Sequence, residues 1–143
     1  MATEDGRFAL VTNGEIYNYL ELRRELESDG VAFQTQSDTE VLLIALARWG
    51  VERTLPRLTG MFAFAFLDTD RRRLTLARDP FGIKPLVWAM RGDDLVFASE
   101  PNAILALDGI DRSIHPQAAY DYLRFGLTDR GSATLFQSIA NLP

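Results

Sequence analysis

The clearest pattern in the chain is at residues 60–67. Phe62, Phe64 and Phe66 fall on one face of an extended segment, and Met61, Ala63, Ala65 and Leu67 fall on the other. A strand apolar on both faces is expected between two layers, with the aromatic stripe in the core. Residues 7–12 carry the same two-faced apolar character and predict a second buried strand. Tyr19, Leu22 and Leu26 lie at helical spacing and predict a helix from a cap at Asn18, with Glu21 completing a capping box, to about Asp29. Glu21, Arg23, Arg24 and Glu25 are its expected wet face, and Gly30 its stop. A short strand is expected at 31–35. Val41 to Leu46 are apolar around almost the whole circumference and predict a buried helix, 41–49, opened by a Ser37–Glu40 capping box.

Residues 52–58 read as one more helical segment. Residues 74–77 return beside 60–67 as a hairpin, and 86–90 with 95–98 form another about residues 91–94. Ser99 is expected to cap a helix over 100–107, and His115-Pro116 to open one over 116–125 with Ala119, Tyr122 and Leu123 inward. The order β-α-β-α-(α)-β-β-β-β-α-α predicts a layered α+β fold with a mainly antiparallel sheet.

Composition narrows the chemistry. The net charge of −5 argues against a phosphate-tracking surface for nucleic acid. No apolar run approaches membrane-spanning length and the first residues lack a signal-peptide core, so a cytoplasmic location is the expectation. With no cysteine and one histidine, disulfides, thiolate metal sites, a cysteine nucleophile and a Ser-His-Asp triad drop out of this chain's own repertoire.

Three stretches carry candidate chemistry. Asn13-Gly14-Glu15 joins an amide, an unhindered backbone N–H and a carboxylate, a set suited to an oxyanion and an ammonium group in acyl transfer. Its plain alternative is a turn. Asp38, beside Ser37 at a helix start, either belongs to the cap or points into a site. Arg71-Arg72-Arg73 reads as a solvated turn, with a phosphate contact as the sharper alternative. Arg78 and Asp79 suggest a structural ion pair.

Five motifs in order resemble one family. They are Asn13-Gly14-Glu15-Ile16-Tyr17-Asn18-Tyr19, Ser37-Asp38-Thr39-Glu40-Val41, Gly60-Met61-Phe62-Ala63-Phe64-Ala65, Arg78-Asp79 with Gly82-Ile83-Lys84-Pro85-Leu86, and Phe97-Ala98-Ser99-Glu100. The family is the class II glutamine amidotransferase domain of glutamine-hydrolysing asparagine synthetases. The resemblance implies an N-terminal-nucleophile hydrolase fold, a four-layer α-β-β-α sandwich, here incomplete at its N-terminus. It implies that the Asn13 side chain and the Gly14 N–H form an oxyanion hole, and that Glu15 and Asp38 hold the α-ammonium of L-glutamine. The family's nucleophile is an N-terminal cysteine, which this sequence does not contain. Pro101-Asn102 also departs from the family's usual text.

The expectation is therefore a fragment, with residues 1–127 a partial amidotransferase domain and 128–143 the start of a connection to a synthetase domain. No cofactor is expected in this chain; ATP and magnesium belong to the parent's synthetase domain. Alone, the chain is expected to be inactive. A glutamine-sensing or protein-interaction module and an inert gene fragment are the alternatives. Self-association is expected through bared sheet edges, residues 8–11 above all.

Overall fold

A computed structural model describes residues 1–127 and 131–143. The polar loop expected from Thr128 thus lies, over 128–130, outside the described residues. The chain divides into two compact units, Met1–Lys84 and Pro85–Pro143, and its content is mixed α and β.

The first unit contains β1 (Phe8–Ile16), α1 (Tyr19–Ser28), α2 (Asp38–Trp49), α3 (Val51–Thr54) with a 3-10 turn at Leu55–Arg57, β2 (Gly60–Asp68) and β3 (Arg73–Arg78). Its sheet runs β1-β2-β3 and is antiparallel throughout. Leu10, Ile16, Phe62, Phe64 and Phe66 face Leu22 and Leu26 of α1 and Val41, Leu42 and Leu46 of α2, as the alternation requires. The Phe8 and Phe66 rings stack at 5.5 Å, so the aromatic stripe is core.

Several expectations fail here for local reasons. Residues 31–35 form no strand, because side chains take the backbone groups that a ladder needs. Glu40 accepts the Gln34 and Thr35 N–H groups, both at 2.7 Å, and Arg23 donates to the Thr35 carbonyl at 2.7 Å. Glu40 is therefore absent from the expected capping box, although Ser37 does cap α2 by accepting from Thr39 N–H. Arg23 leaves the wet face, its guanidinium lying 4.4 Å from the Phe33 ring centroid. Asn18 makes no side-chain cap. Its amide instead donates to the Arg57 carbonyl and accepts from Thr59 N–H, fixing the entry to β2.

The edge at residues 8–11 is not bare at its start. Leu10 N–H donates to the Met1 carbonyl and Thr3 N–H to the Phe8 carbonyl, so residues 1–3 cover it.

The second unit contains β4 (Val87–Arg91), β5 (Asp94–Ala98), α4 (Pro101–Leu105), α5 (Pro116–Phe125) and β6 (Ile139–Asn141), with sheet order β5-β4-β6. Val87, Ala89, Ile104, Ile110 and Ile139 form its core. The strand β6, three residues long, has too short a pattern to read in advance. The cap of α4 is Glu100 rather than Ser99. His115 caps α5, its Nδ1 accepting from Ala118 N–H. The expected inward face of α5 is wrong at two positions: Tyr122 and Leu123 are exposed, and Asp121 is the buried residue.

Candidate functional site

The stretch Asn13-Gly14-Glu15 is not a turn. It lies inside β1, where Asn13 pairs with Ala63, Gly14 with Phe62 and Glu15 with Met61. Alternation puts Val11, Asn13 and Glu15 on the exposed face and Leu10 and Ile16 in the core. Asn13 and Glu15 thus project from one face, about 6.7 Å apart along the strand.

Gly14 is required by space as well as by conformation. Its φ is 139°, and a Cβ there would fall 2.1 Å from the Met61 carbonyl oxygen and 2.7 Å from Phe62 Cα. Gly60 is its counterpart on β2, where a Cβ would meet the Glu15 carbonyl at 2.1 Å. Two glycines let the strands close over this short length. The N–H groups of Leu10 and Ile16 point away from β2, towards Met1 and Asp38 respectively. By the same alternation the Gly14 N–H faces that outer edge.

Asp38 comes to this edge from the first turn of α2. Its Oδ2 accepts the Ile16 N–H at 2.9 Å, and its Oδ1 lies 3.4 Å from the Thr39 hydroxyl, which donates to it. Ser37 ends the preceding loop with extended backbone and caps the helix, which fixes where Asp38 projects. An open cleft of about 480 Å³ is lined by Glu15, Tyr17, Tyr19 and Asp38, among others. The structure thus brings two of the expected site residues, Glu15 and Asp38, into one cleft. Asn13 and Gly14 stand next to it on β1 and are not part of its lining. Two carboxylates beside an outward N–H edge favour a ligand with a cationic end and a polarised carbonyl.

A second carboxylate organises the loop after β3. Asp79 is buried and accepts four backbone N–H groups: Phe62 at 3.3 Å, Phe81 at 3.1 Å, Ile83 at 3.0 Å and Lys84 at 3.0 Å. Burial pushes its carboxyl up, but those N–H donors outweigh it and hold the group below the usual aspartate value. Among the described residues Arg78 and Asp79 form no ion pair with each other. The Arg78 guanidinium instead covers Gly82, where a Cβ would lie 3.0 Å from its central carbon. Glu40 follows the same logic as Asp79: burial raises its carboxyl, and Thr35, Gln34 and Arg23 lower it further. Asp79 was findable from Asp-Pro-x-Gly, an Asx-turn signal. Nothing in the sequence pointed to the role of Glu40.

Among the described residues no group of three or more His, Asp or Glu side chains is placed to hold a metal. None of the described helices is long and apolar enough to cross a membrane.

A family model described as a glutamine amidotransferase domain matches residues 1–143. The chain is 44% identical to the glutamine-hydrolysing asparagine synthetase 1 of Bacillus subtilis, over 87% of this chain and 20% of that protein. It is 49% identical to a putative glutamine-hydrolysing asparagine synthetase of Mycobacterium tuberculosis, over 81% of this chain and 18% of that protein. The chain thus spans about a fifth of the length of these curated relatives. Among solved structures, it resembles glutamine phosphoribosylpyrophosphate amidotransferase from B. subtilis, complexed with ADP and GMP. The TM-score is 0.63 at 27% identity, covering 90% of this chain and 35% of that one.

Proposed function

We propose, from the premise that this chain belongs to the glutamine amidotransferase domain family, that it is the glutamine-binding part of an asparagine synthetase-like enzyme. In this reading Glu15 and Asp38 receive the α-ammonium of L-glutamine in the cleft that they share. The ligand's side-chain amide then lies along the outer edge of β1. There the Gly14 N–H and the Asn13 side-chain amide stabilise the negative charge that develops on the amide oxygen during attack. The observation that carries the reading is the juxtaposition of Glu15 and Asp38 beside the Gly14 edge.

The reaction of the whole enzyme has two halves. A thiolate attacks the amide carbon, ammonia leaves, and water hydrolyses the thioester to glutamate. The ammonia would pass to an aspartate that the synthetase domain, this domain's partner in the parent enzyme, would activate with ATP and magnesium. The four-layer sandwich expected of the family, and a cytoplasmic location, belong to this same reading.

These 143 residues include no cysteine. Incubated alone with L-glutamine, the chain is expected to release no glutamate above background, whereas turnover would contradict the assignment of the nucleophile to a cysteine. The second reading is a glutamine-sensing module, favoured by two carboxylates kept beside the outward Gly14 N–H. Tight, saturable glutamine binding by calorimetry supports sensing; weak binding supports a partial catalytic site.

A further inference from the structure

A second cleft of the first unit lies between Arg7, the end of α2 with α3, and the β2–β3 hairpin. Its volume is about 380 Å³, and nothing in the amidotransferase reading uses it. Four arginines line it, Arg7, Arg53, Arg71 and Arg73, with Glu52 and Asp68. Arg7 is also paired with Asp70 at 3.0 Å and Arg53 with Glu25 at 3.9 Å, so Arg71 and Arg73 carry most of its uncompensated charge. In a chain of net charge −5, this gathers cations from three separate segments. We propose that this cleft binds a small, multiply charged phosphate.

Three features support that ligand class. First, Asp68 is buried and draws Arg7 and Arg71 together without consuming them. Each guanidinium stands 3.8 Å from one of its oxygens, and each carries five N–H donors. The Arg7 Nε also lies 3.0 Å from Asp70 Oδ2, yet makes no hydrogen bond. Second, the triple arginine run does not point one way. Arg72 takes a left-handed backbone with φ 48°, so Arg71 and Arg73 line the cleft and Arg72 does not. Third, guanidiniums converging from several directions match a tetrahedral anion with many oxygens better than a planar carboxylate, which one fork satisfies. The Arg7 guanidinium is held over the Phe8 ring at 4.7 Å, which fixes one wall.

The test is calorimetric titration of the 143-residue chain with inorganic pyrophosphate, repeated with citrate. Saturable pyrophosphate binding is expected, tighter than that of citrate. The paired variant R71A/R73A should weaken it roughly tenfold, and R72A should change it less than about twofold. Arg71 and Arg73 are exposed, so both variants should keep the fold, which circular dichroism confirms. No saturable pyrophosphate binding, equal weakening by R72A, or tighter binding of citrate overturns the proposal. Glutamine binding at the other cleft is expected to be the same in every variant.

Discussion

Asp38 and Ile16 are joined by one hydrogen bond across 22 positions of sequence, the Ile16 N–H donating to Asp38 Oδ2 at 2.9 Å. That bond ties the first turn of α2 to the outer edge of β1. It also sets Asp38 beside Glu15 in the cleft proposed for the glutamine ammonium. In the proposed reading this one carboxylate has two tasks, which is chemically open to it because its two oxygens accept more bonds than a single N–H supplies.

The two tasks separate by substitution. Asp38→Asn retains an oxygen for the Ile16 N–H and should change stability by less than about 1 kcal/mol, while Asp38→Ala should cost roughly 1–3 kcal/mol. Both should weaken glutamine binding, since both remove the charge. Chemical denaturation read beside calorimetry checks this; unchanged binding in Asp38→Asn counts against an ammonium contact.

Gly14→Ala should destabilise by roughly 3 kcal/mol or more, because the Met61 backbone stands 2.1 Å from the new Cβ. The strands must part or twist to admit it. Gly30→Ala is the comparison: φ there is 83° and the surrounding space is open, so strain alone acts, at roughly 1 kcal/mol. Urea midpoints of the two variants give the difference.

Acid should loosen the first unit through Asp79 and Glu40. Both carboxyls lie below their ordinary values of 3.8 and 4.5 in the fold. A depressed folded value means that the stabilisation is complete above the unfolded value and is lost as pH falls through the folded one. Stability should therefore be level above about pH 5 and decline below about pH 4. Asp79→Asn should cost roughly 2–3 kcal/mol near neutrality and flatten the acid limb. Urea unfolding across pH measures both, and an unchanged acid limb in the variant would contradict the role given to Asp79.

Leu123→Ser should be nearly silent, within about 0.5 kcal/mol, because the side chain is 82% exposed. A core leucine would instead cost several times that. Thermal unfolding of the variant decides between the observed face of α5 and the one its periodicity suggested.

The contrast between α2 and α5 explains how much was legible in the sequence. Helix α2 is apolar on nearly every side, so any rotation buries leucines, and the prediction holds with Val41, Leu42, Leu43 and Leu46 buried. Helix α5 has apolar residues on several faces and one buried carboxylate, Asp121, so spacing alone cannot orient it. The alternation in β2 carried its core face, with Phe62, Phe64 and Phe66 buried together, whereas its register against β1 is visible only in the structure. The segment 31–35 was misread because its backbone partners, Glu40 and Arg23, are side chains that propensity does not weigh. At the site, the residue types of Asn13-Gly14-Glu15 and Asp38 were visible, but their placement inside a strand was not. Asn-Gly normally marks a turn, and here Gly14 serves a close approach to Met61 that only tertiary structure reveals.

The account rests most on Glu15 and Asp38 receiving the ammonium of glutamine beside the Gly14 edge. Amide-resolved NMR of the chain, titrated with L-glutamine and then with the analogue lacking the α-amino group, tests it directly. The predicted result is a set of shifts at Gly14, Glu15, Ile16 and Asp38 with L-glutamine, largely lost with the analogue. Shifts confined to other regions, or the same shifts with both compounds, would contradict the assignment.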